Sequence, residues 1–113
     1  MSEIVQKAED FVTKLLETKL DPKFLYHNLK HTQRVVKSTK ELLEHHDMEP
    51  SKKEELVLAA WFHDTGYTQG TDQHEKRSGE LAADFLKSEG FGPAIIESIQ
   101  ALILATERYH VPT

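Results

Sequence analysis

The alternation of apolar and polar residues along the chain predicts five helices and no strand. We expect these helices at about residues 2–19, 28–46, 51–62, 74–89 and 92–110. In four of them apolar residues recur every three or four positions, which is typical of a helix that buries one face. The third is apolar nearly all round over residues 56–62, so we expect it in the middle of a bundle. The pattern therefore indicates an all-α fold of about five helices.

Each of the outer helices has a predicted inward face. The residues on these faces are Val5, Ala8, Val12, Leu15 and Leu16; then Leu29, Thr32, Val35, Val36, Thr39, Leu42 and Leu43; then His74, Ser78, Leu81, Ala82 and Phe85; and finally Ile95, Ile99, Leu102, Ile103 and Thr106. Ser51 and Glu54 have the spacing of a capping box at the start of the third helix, and Gly90 is suited to end the fourth. The polar residues 65–72 predict a loop that lines a pocket.

The third helix ends in an adjacent histidine and aspartate, His63 and Asp64, and Gly66 follows two residues later. An imidazole nitrogen and a carboxylate oxygen are common ligands of divalent cations, and the carboxylate cancels part of the cation's charge. An ionised carboxylate is rarely buried without a partner, so this place at the end of an apolar helix favours a site. We expect Gly66 to let the chain turn away and leave the pair on a concave surface.

Three further histidines lie at the ends or margins of the predicted inward faces. His31 borders the inward face of the second helix, His74 heads that of the fourth, and His110 continues that of the fifth. A core histidine bonded to a backbone carbonyl explains His31 taken alone at least as well. Together with the adjacent pair at the end of the third helix, the three indicate one shared site between helices. Because the chain has no cysteine, a metal there would be held by His, Asp, Glu and water.

Length and charge narrow the class of protein. A chain of 113 residues predicts a single domain spanning 1–113. The net charge of −5 and the pI of about 5.8 argue against a general nucleic-acid or membrane-surface binder. Charges interrupt the N-terminal residues, and no apolar run reaches the length of a membrane span. We therefore expect a cytoplasmic protein without a membrane partner.

Four short segments, in this order, resemble the motifs of the HD superfamily of metal-dependent phosphohydrolases. These segments are Tyr26-His27-Asn28-Leu29-Lys30-His31-Thr32, Trp61-Phe62-His63-Asp64-Thr65-Gly66-Tyr67, His74-Glu75-Lys76-Arg77-Ser78, and Ile103-Leu104-Ala105-Thr106-Glu107 with His110. The second is similar to the His-Asp motif that names the superfamily. The resemblance covers roughly residues 24–113 and implies an all-α bundle with a metal held between helices.

The resemblance also implies roles for the five candidate ligands. His31, His63 and Asp64 would bind a divalent ion (Mn, Fe, Co, Ni, Mg or Zn), and Asp64 would bridge where two ions are present. His74 and His110 would help to hold the second ion in members that have two per chain. The expected reaction is hydrolysis of a phosphate ester of a small phosphorylated compound or nucleotide by metal-activated water.

Four charged residues near the motifs are candidates for contacts with substrate. The expected catalytic residues are Asp64, Arg77 and Glu75. Arg77 is expected to contact phosphate oxygens, and Glu75 to orient a ligand or a water. Lys30 and Arg34 are further candidates for phosphate contact. A solvated helix face explains the three basic side chains equally well, and a preference for helix N-termini explains Glu75.

One departure from the family pattern leaves three functions open. The final ligand of the family is usually an Asp on a later helix, and no Asp follows Asp84 here. The chain is therefore expected to lack the usual C-terminal helix, either as a fragment or as a shortened homologue that binds metal weakly or takes the aspartate from another copy. The alternatives to a phosphohydrolase are a di-iron oxygenase of HD type and a non-catalytic binding or regulatory module. Apolar surface exposed by the missing helix makes a homo-oligomer an expected partner.

Overall fold

The structure, a computed structural model, describes residues 3–19, 29–69 and 74–109, apart from the side chains of Tyr67, Gln69, Glu75 and residues 106–109. It contains five α-helices and one short 3-10 helix. In chain order these are α1 (Glu3–Lys19), α2 (Leu29–Glu44), α3 (Pro50–Phe62), the 3-10 helix Thr65–Gln69, α4 (His74–Ser88) and α5 (Pro93–Tyr109). No strand occurs in the described ranges. The expectation of an all-α fold with five helices is confirmed.

The third helix, α3, is the centre of the bundle and contacts each of the other four. Its last six residues, Val57 to Phe62, are all buried. A helix that is apolar on every face is most stable where other helices cover every face. The central position of α3 therefore follows from its sequence. Since α3 runs through the core, the residues directly after Phe62 lie inside the protein.

Three aromatic rings from three helices pack together beside the end of α3. The ring centroid of Phe62 lies 5.9 Å from that of Phe11 on α1 and 5.4 Å from that of Phe85 on α4. The rings of Phe11 and Phe85 are 5.1 Å apart. Tilted rings at these separations attract one another beyond the area that they bury. This cluster holds the C-terminal end of α3 between α1 and α4.

The fourth helix ends as the sequence predicts. Gly90 has a positive φ of 87°, a conformation that suits glycine because it has no Cβ. The N–H of Gly90 donates to the carbonyl of Lys87, and the N–H of Phe91 donates to the carbonyl of Leu86, both at 3.0 Å. These two bonds form a Schellman motif, which turns the chain into α5 after a short connection.

Two of the predicted inward faces need correction. On α2 the buried residues are Thr32, Val36 and Leu43, whereas Leu42 is 60% exposed. On α5 the buried residues are Ile96, Ile99 and Ile103, whereas Ile95 is 40% exposed. In both cases two adjacent apolar residues compete, and neighbours on a helix point about 100° apart, so only one of them can face the core. From the sequence, Ile95 was assigned to the core instead of Ile96, and both Leu42 and Leu43 were assigned to it although only Leu43 is buried. Leu81, at the margin of α4, is only partly buried, while Leu86 is fully buried.

Two predictions about local structure are also wrong. The third helix begins one residue early, with Glu49 as N-cap and Pro50 in its first turn, and no side-chain cap hydrogen bond forms there. Proline is pre-organised for the first helical position, and this moves Ser51 inside the helix, where it cannot act as the N-cap. The predicted loop at 65–72 begins instead as the 3-10 helix Thr65–Gln69, and residues 70–73 lie outside the described part of the chain.

None of the helices in the described ranges is both long and apolar enough to cross a membrane. The cytoplasmic location stays a prediction.

Candidate metal centre

The two residues that follow α3, His63 and Asp64, are both completely buried. His63 has helical backbone angles, φ −56° and ψ −32°, so the chain passes straight from α3 towards the 3-10 helix. The hydroxyl of Thr65 donates to the carbonyl of Phe62 at 2.8 Å and satisfies one of the last carbonyls of α3. The apolar helix thus delivers an imidazole and a carboxylate into the interior of the protein.

A second imidazole comes from α2. His31 Nε2 lies 3.4 Å from Asp64 Oδ2, and His63 Nε2 lies 3.2 Å from the same oxygen. The two imidazole rings are 5.6 Å apart and inclined at 50°. One ligand atom from each of the three residues lies within 4.8 Å of the others. The side chain of His31 is 11% exposed, whereas those of His63 and Asp64 are 0% and 1% exposed.

The hydrogen bond of His63 to the backbone determines which of its ring atoms faces the group. Its Nδ1–H donates to the carbonyl of Ala60, one turn earlier on α3, at 2.6 Å. In the neutral imidazole the other nitrogen, Nε2, then has a lone pair and no proton. This lone pair lies 3.2 Å from a carboxylate oxygen of Asp64, which also has only lone pairs when ionised. Two such atoms repel each other unless a cation lies between them.

The three donors fit a divalent metal ion. A proton could relieve the repulsion at one pair of atoms, but His31, His63 and Asp64 all direct a ligand atom to one place. One cation at that place satisfies all three at once. Two imidazole nitrogens and a carboxylate oxygen are a ligand set typical of Zn, Mn, Fe, Co and Ni sites. The backbone bond of His63 is the kind of outer contact that orients such a ligand.

Ser78 on α4 ties the chain around this group together. Its hydroxyl donates to the carbonyl of His63 at 2.9 Å and accepts from the N–H of Gly66 at 2.8 Å. Ser78 itself is completely buried. From the sequence, Ser78 was placed on an inward face and in the third motif segment but was given no partners, because these lie 15 and 12 residues earlier in the chain and no local signal connects them.

Gly66 has a role that differs from the predicted one. It lies inside the 3-10 helix, not at a sharp turn, and its φ is outside the positive range. A Cβ built on it would lie 1.9 Å from the carbonyl oxygen of His74 and 2.9 Å from the nitrogen of Ser78. Glycine is needed here because the first turn of α4 packs directly on the backbone of the 3-10 helix.

Of the other predicted site residues, some are placed by the structure and some are not. Within the described residues His74 is not a member of the three-residue group; it heads α4 and is partly buried. Arg77 is partly buried in the first turns of α4, one residue before Ser78. The side chain of Glu75 and the whole of His110 lie outside the described residues. The second-ion site that His74 and His110 imply therefore stays a prediction.

His31 also lies at one end of a cavity that the sequence did not indicate. The cavity has a volume of about 560 Å³ and includes Arg34 and Leu42 on α2. Lys30 lies outside its described lining. Arg34 is thus the charged candidate that shares a cavity with a residue of the metal centre.

The chain was compared with protein families, with curated proteins and with solved structures. A family model described as HD domain matches residues 28–112, which is most of the chain and includes His31, His63 and Asp64. No curated protein and no solved structure matches. The match and the all-α fold agree with the order of motifs in the sequence. HD domains form a superfamily of metal-dependent hydrolases that bind divalent cations. The chain therefore belongs to the HD domain family.

Proposed function

We propose that this protein hydrolyses a phosphate monoester of a small compound at a divalent metal ion held by His31, His63 and Asp64. The observation that supports the proposal is the buried group itself, in which two imidazoles and a carboxylate bring their ligand atoms within 4.8 Å. The family match favours the same class of reaction. A divalent ion in such a group lowers the pKa of a bound water and offsets the charge of a phosphate.

The residues of the chain prepare the site before any substrate enters. The bond from His63 Nδ1–H to Ala60 keeps the Nε2 lone pair directed towards Asp64. The bond from Ser78 to the carbonyl of His63 holds the backbone that carries both ligands. Because His63 and Asp64 are completely buried, water has little access from their side, and charges interact more strongly there than in solvent.

The proposed reaction is a simple displacement at phosphorus. The oxygen of a water molecule forms a new bond to phosphorus, and the bond from phosphorus to the alcohol oxygen breaks. The proton that water loses goes to the leaving alkoxide, so the products are an alcohol and inorganic phosphate. No covalent intermediate on the protein is required, which suits a chain without cysteine.

Four further residues complete the proposal. Arg77 donates to phosphate oxygens from the first turns of α4, since its guanidinium can form two parallel bonds to an oxyanion. Glu75, two residues earlier, orients a ligand or a water. A second ion, if present, is held with the help of His74 and His110.

The first test is metal content and phosphate release on the same preparation. Protein purified without chelator is analysed for Mn, Fe, Co, Ni, Mg and Zn, and is then assayed with a panel of phosphate monoesters. We expect one or two ions per chain and phosphate release that a chelator abolishes and the ion restores. His63→Ala and Asp64→Ala should each reduce release at least about 100-fold.

The matched control is His46→Ala. His46 is exposed just after α2, where its Nδ1 bonds to the Leu42 carbonyl. The substitution should leave both metal content and activity unchanged. Release that persists in the chelated protein or in the His63 variant would contradict the proposal. Two irons per chain with oxygen uptake and no phosphate release would favour the oxygenase instead.

A further inference from the structure

The cavity that contains His31 runs along one side of α2. Its described lining residues are His31, Arg34, Val35, Ser38, Thr39 and Leu42. They follow one another at helical spacing, so they form one continuous stripe, which we call the α2 groove. At 1.5 Å per residue the stripe is about 16 Å long from His31 to Leu42. The α2 groove therefore begins at a residue of the metal centre and leads away from it.

The two ends of the α2 groove differ in polarity. Arg34 lies one helical turn from His31 in this lining, and its guanidinium suits an anionic group at that end. Farther along, the hydroxyl of Thr39 donates to the Val35 carbonyl at 2.8 Å, so its proton is already used inside the helix. The far end is formed by Leu42, which is 60% exposed. A ligand that matches this order is anionic at one end and apolar at the other.

We propose that the α2 groove binds the organic part of the substrate, and that the substrates are phosphate monoesters of extended, largely apolar alcohols. This inference rests on the proposed function, because it places the phosphate at the metal centre. A single exposed leucine is ordinary on a protein surface. Here, however, it lies in a cavity whose lining also includes His31, one of the three candidate ligands, and the volume of about 560 Å³ is typical of a pocket for a small molecule.

The test measures how hydrolysis depends on the length of the alcohol. The metal-loaded protein is assayed with n-alkyl phosphates from methyl to tetradecyl, each below the concentration at which it aggregates. Full burial of one methylene corresponds to roughly a fourfold gain in kcat/KM. An open groove should give about half of this gain on a logarithmic scale. We expect kcat/KM to rise about twofold per methylene and to level off once the chain passes Leu42.

Leu42→Ser is the informative variant, since Leu42 is exposed and its loss should not unfold α2. It should flatten the dependence on length. Leu104→Ser is the matched control, because Leu104 is a similarly exposed leucine, at 49%, and lies outside the α2 groove. This control should retain the full dependence. Calorimetric affinities for n-alkylphosphonates, which contain no ester bond to hydrolyse, should rise with length in the same way.

The outcomes separate this inference from the function on which it rests. Phosphate release from methyl phosphate with a flat dependence on length overturns the α2 groove as a substrate site and leaves the hydrolase intact. A dependence on length that Leu104→Ser removes and Leu42→Ser does not also overturns it. A change of oligomeric state in Leu42→Ser, with the dependence intact, shows that a second copy covers this leucine and overturns it too. Release from none of the esters, with metal bound, refutes the proposed function and this inference with it.

Discussion

The candidate metal centre has two sides that are built in different ways. On the side of α3 and α4, His63, Asp64 and Ser78 are completely buried, and hydrogen bonds connect His63 to Ala60 and Ser78 to both His63 and Gly66. On the side of α2, His31 borders an open cavity whose other described residues include exposed polar and apolar side chains. The first, which we call the closed side, holds two of the three candidate ligands in place. The second, which we call the open side, contributes the third ligand and determines what can approach the centre. Substitutions on the two sides should therefore fail in different ways.

The largest expected effect is on the closed side, at Gly66. In Gly66→Ala the new Cβ would overlap the carbonyl oxygen of His74, and backbone on both sides has to move. We expect a loss of about 3 kcal/mol or more in the free energy of unfolding, measured by urea denaturation of the metal-free protein.

The matched control for this prediction is Gly79→Ala in the interior of α4. There a Cβ meets only the flexible side chain of Gln100, at 3.7 Å, which is ordinary contact. Alanine is the better helix former, so this variant should be more stable by up to about 1 kcal/mol. Equal losses at both glycines would show that the contact between the 3-10 helix and α4 is not tight.

Ser78→Ala should have the next largest effect. It leaves the carbonyl of His63 and the N–H of Gly66 without the hydroxyl that bonds to both, and each buried group left unsatisfied costs about 1–3 kcal/mol. We expect a loss of about 3 kcal/mol in urea denaturation and a 10- to 100-fold weaker metal affinity by calorimetry.

Ser88→Ala is the control for the serine substitution. Ser88 Oγ donates to the Phe85 carbonyl within α4, and the residue is exposed at the end of that helix. Its loss should change the free energy of unfolding by no more than about 0.5 kcal/mol and leave metal affinity unchanged. If Ser78→Ala behaved in the same way, the closed side would owe its geometry to packing alone.

Asp64→Asn separates a metal site from a structural ion pair. An asparagine amide can donate to an imidazole nitrogen that the carboxylate repels, so the metal-free variant should be about 1 kcal/mol more stable than the parent. The parent should gain about 2.7 kcal/mol at a metal concentration 100 times its Kd, and the variant should gain little. Thermal unfolding with chelator and with added ion measures both. A variant that is strongly destabilised in chelator would indicate that protonated histidines pair with Asp64 and that no metal is needed.

On the open side, Arg34→Gln should weaken substrate binding and leave the free energy of unfolding unchanged. Arg34 is exposed on α2 and shares the α2 groove with His31. Loss of a charge-assisted bond to phosphate should raise KM about tenfold with kcat little changed. Lys52→Gln, an exposed charge on α3 outside that groove, is the control in the same assay. A large loss of stability in Arg34→Gln would mean that α2 belongs to the closed side.

The difference between the two sides also explains how much the sequence could predict. Helical periodicity was sufficient for five helices, since each has a long apolar stripe. The order of motifs predicted one site for His31, His63 and Asp64, and the structure brings these three residues together, while their role as ligands stays a prediction. The bond from Ser78 to His63 and the contact of Gly66 with His74 were not predictable in this way, because they join segments 8 to 15 residues apart through the folded backbone.

The cavity on α2 was missed for a different physical reason. Leu42 and Leu43 are adjacent and equally apolar, so the pattern alone assigns both to the core. Only the position of α3 decides that Leu43 is buried and that Leu42 is exposed beside His31. Exposed apolar residues of this kind can therefore be found only after the packing of the neighbouring helix is known.

The smallest expected effect lies away from both sides, where α1 meets the connection between α4 and α5. Lys7 Nζ donates to Glu89 Oε1 at 3.0 Å, and this bond, then the charges of Glu89 and Glu3, raise the pKa of Lys7 above its ordinary value of 10.5. A pKa raised by folding stabilises the protein fully below pH 10.5, and the stabilisation disappears as the pH rises through the folded pKa. Because the ammonium is exposed to solvent, Lys7→Met should lower stability only slightly at pH 8, and the difference from the parent should vanish as the pH rises through the folded pKa of Lys7. Urea denaturation at pH 8 and at a series of higher pH values, with Lys14→Met as the control, measures this difference. A large effect at pH 8 would show that the closed side extends to the end of α4.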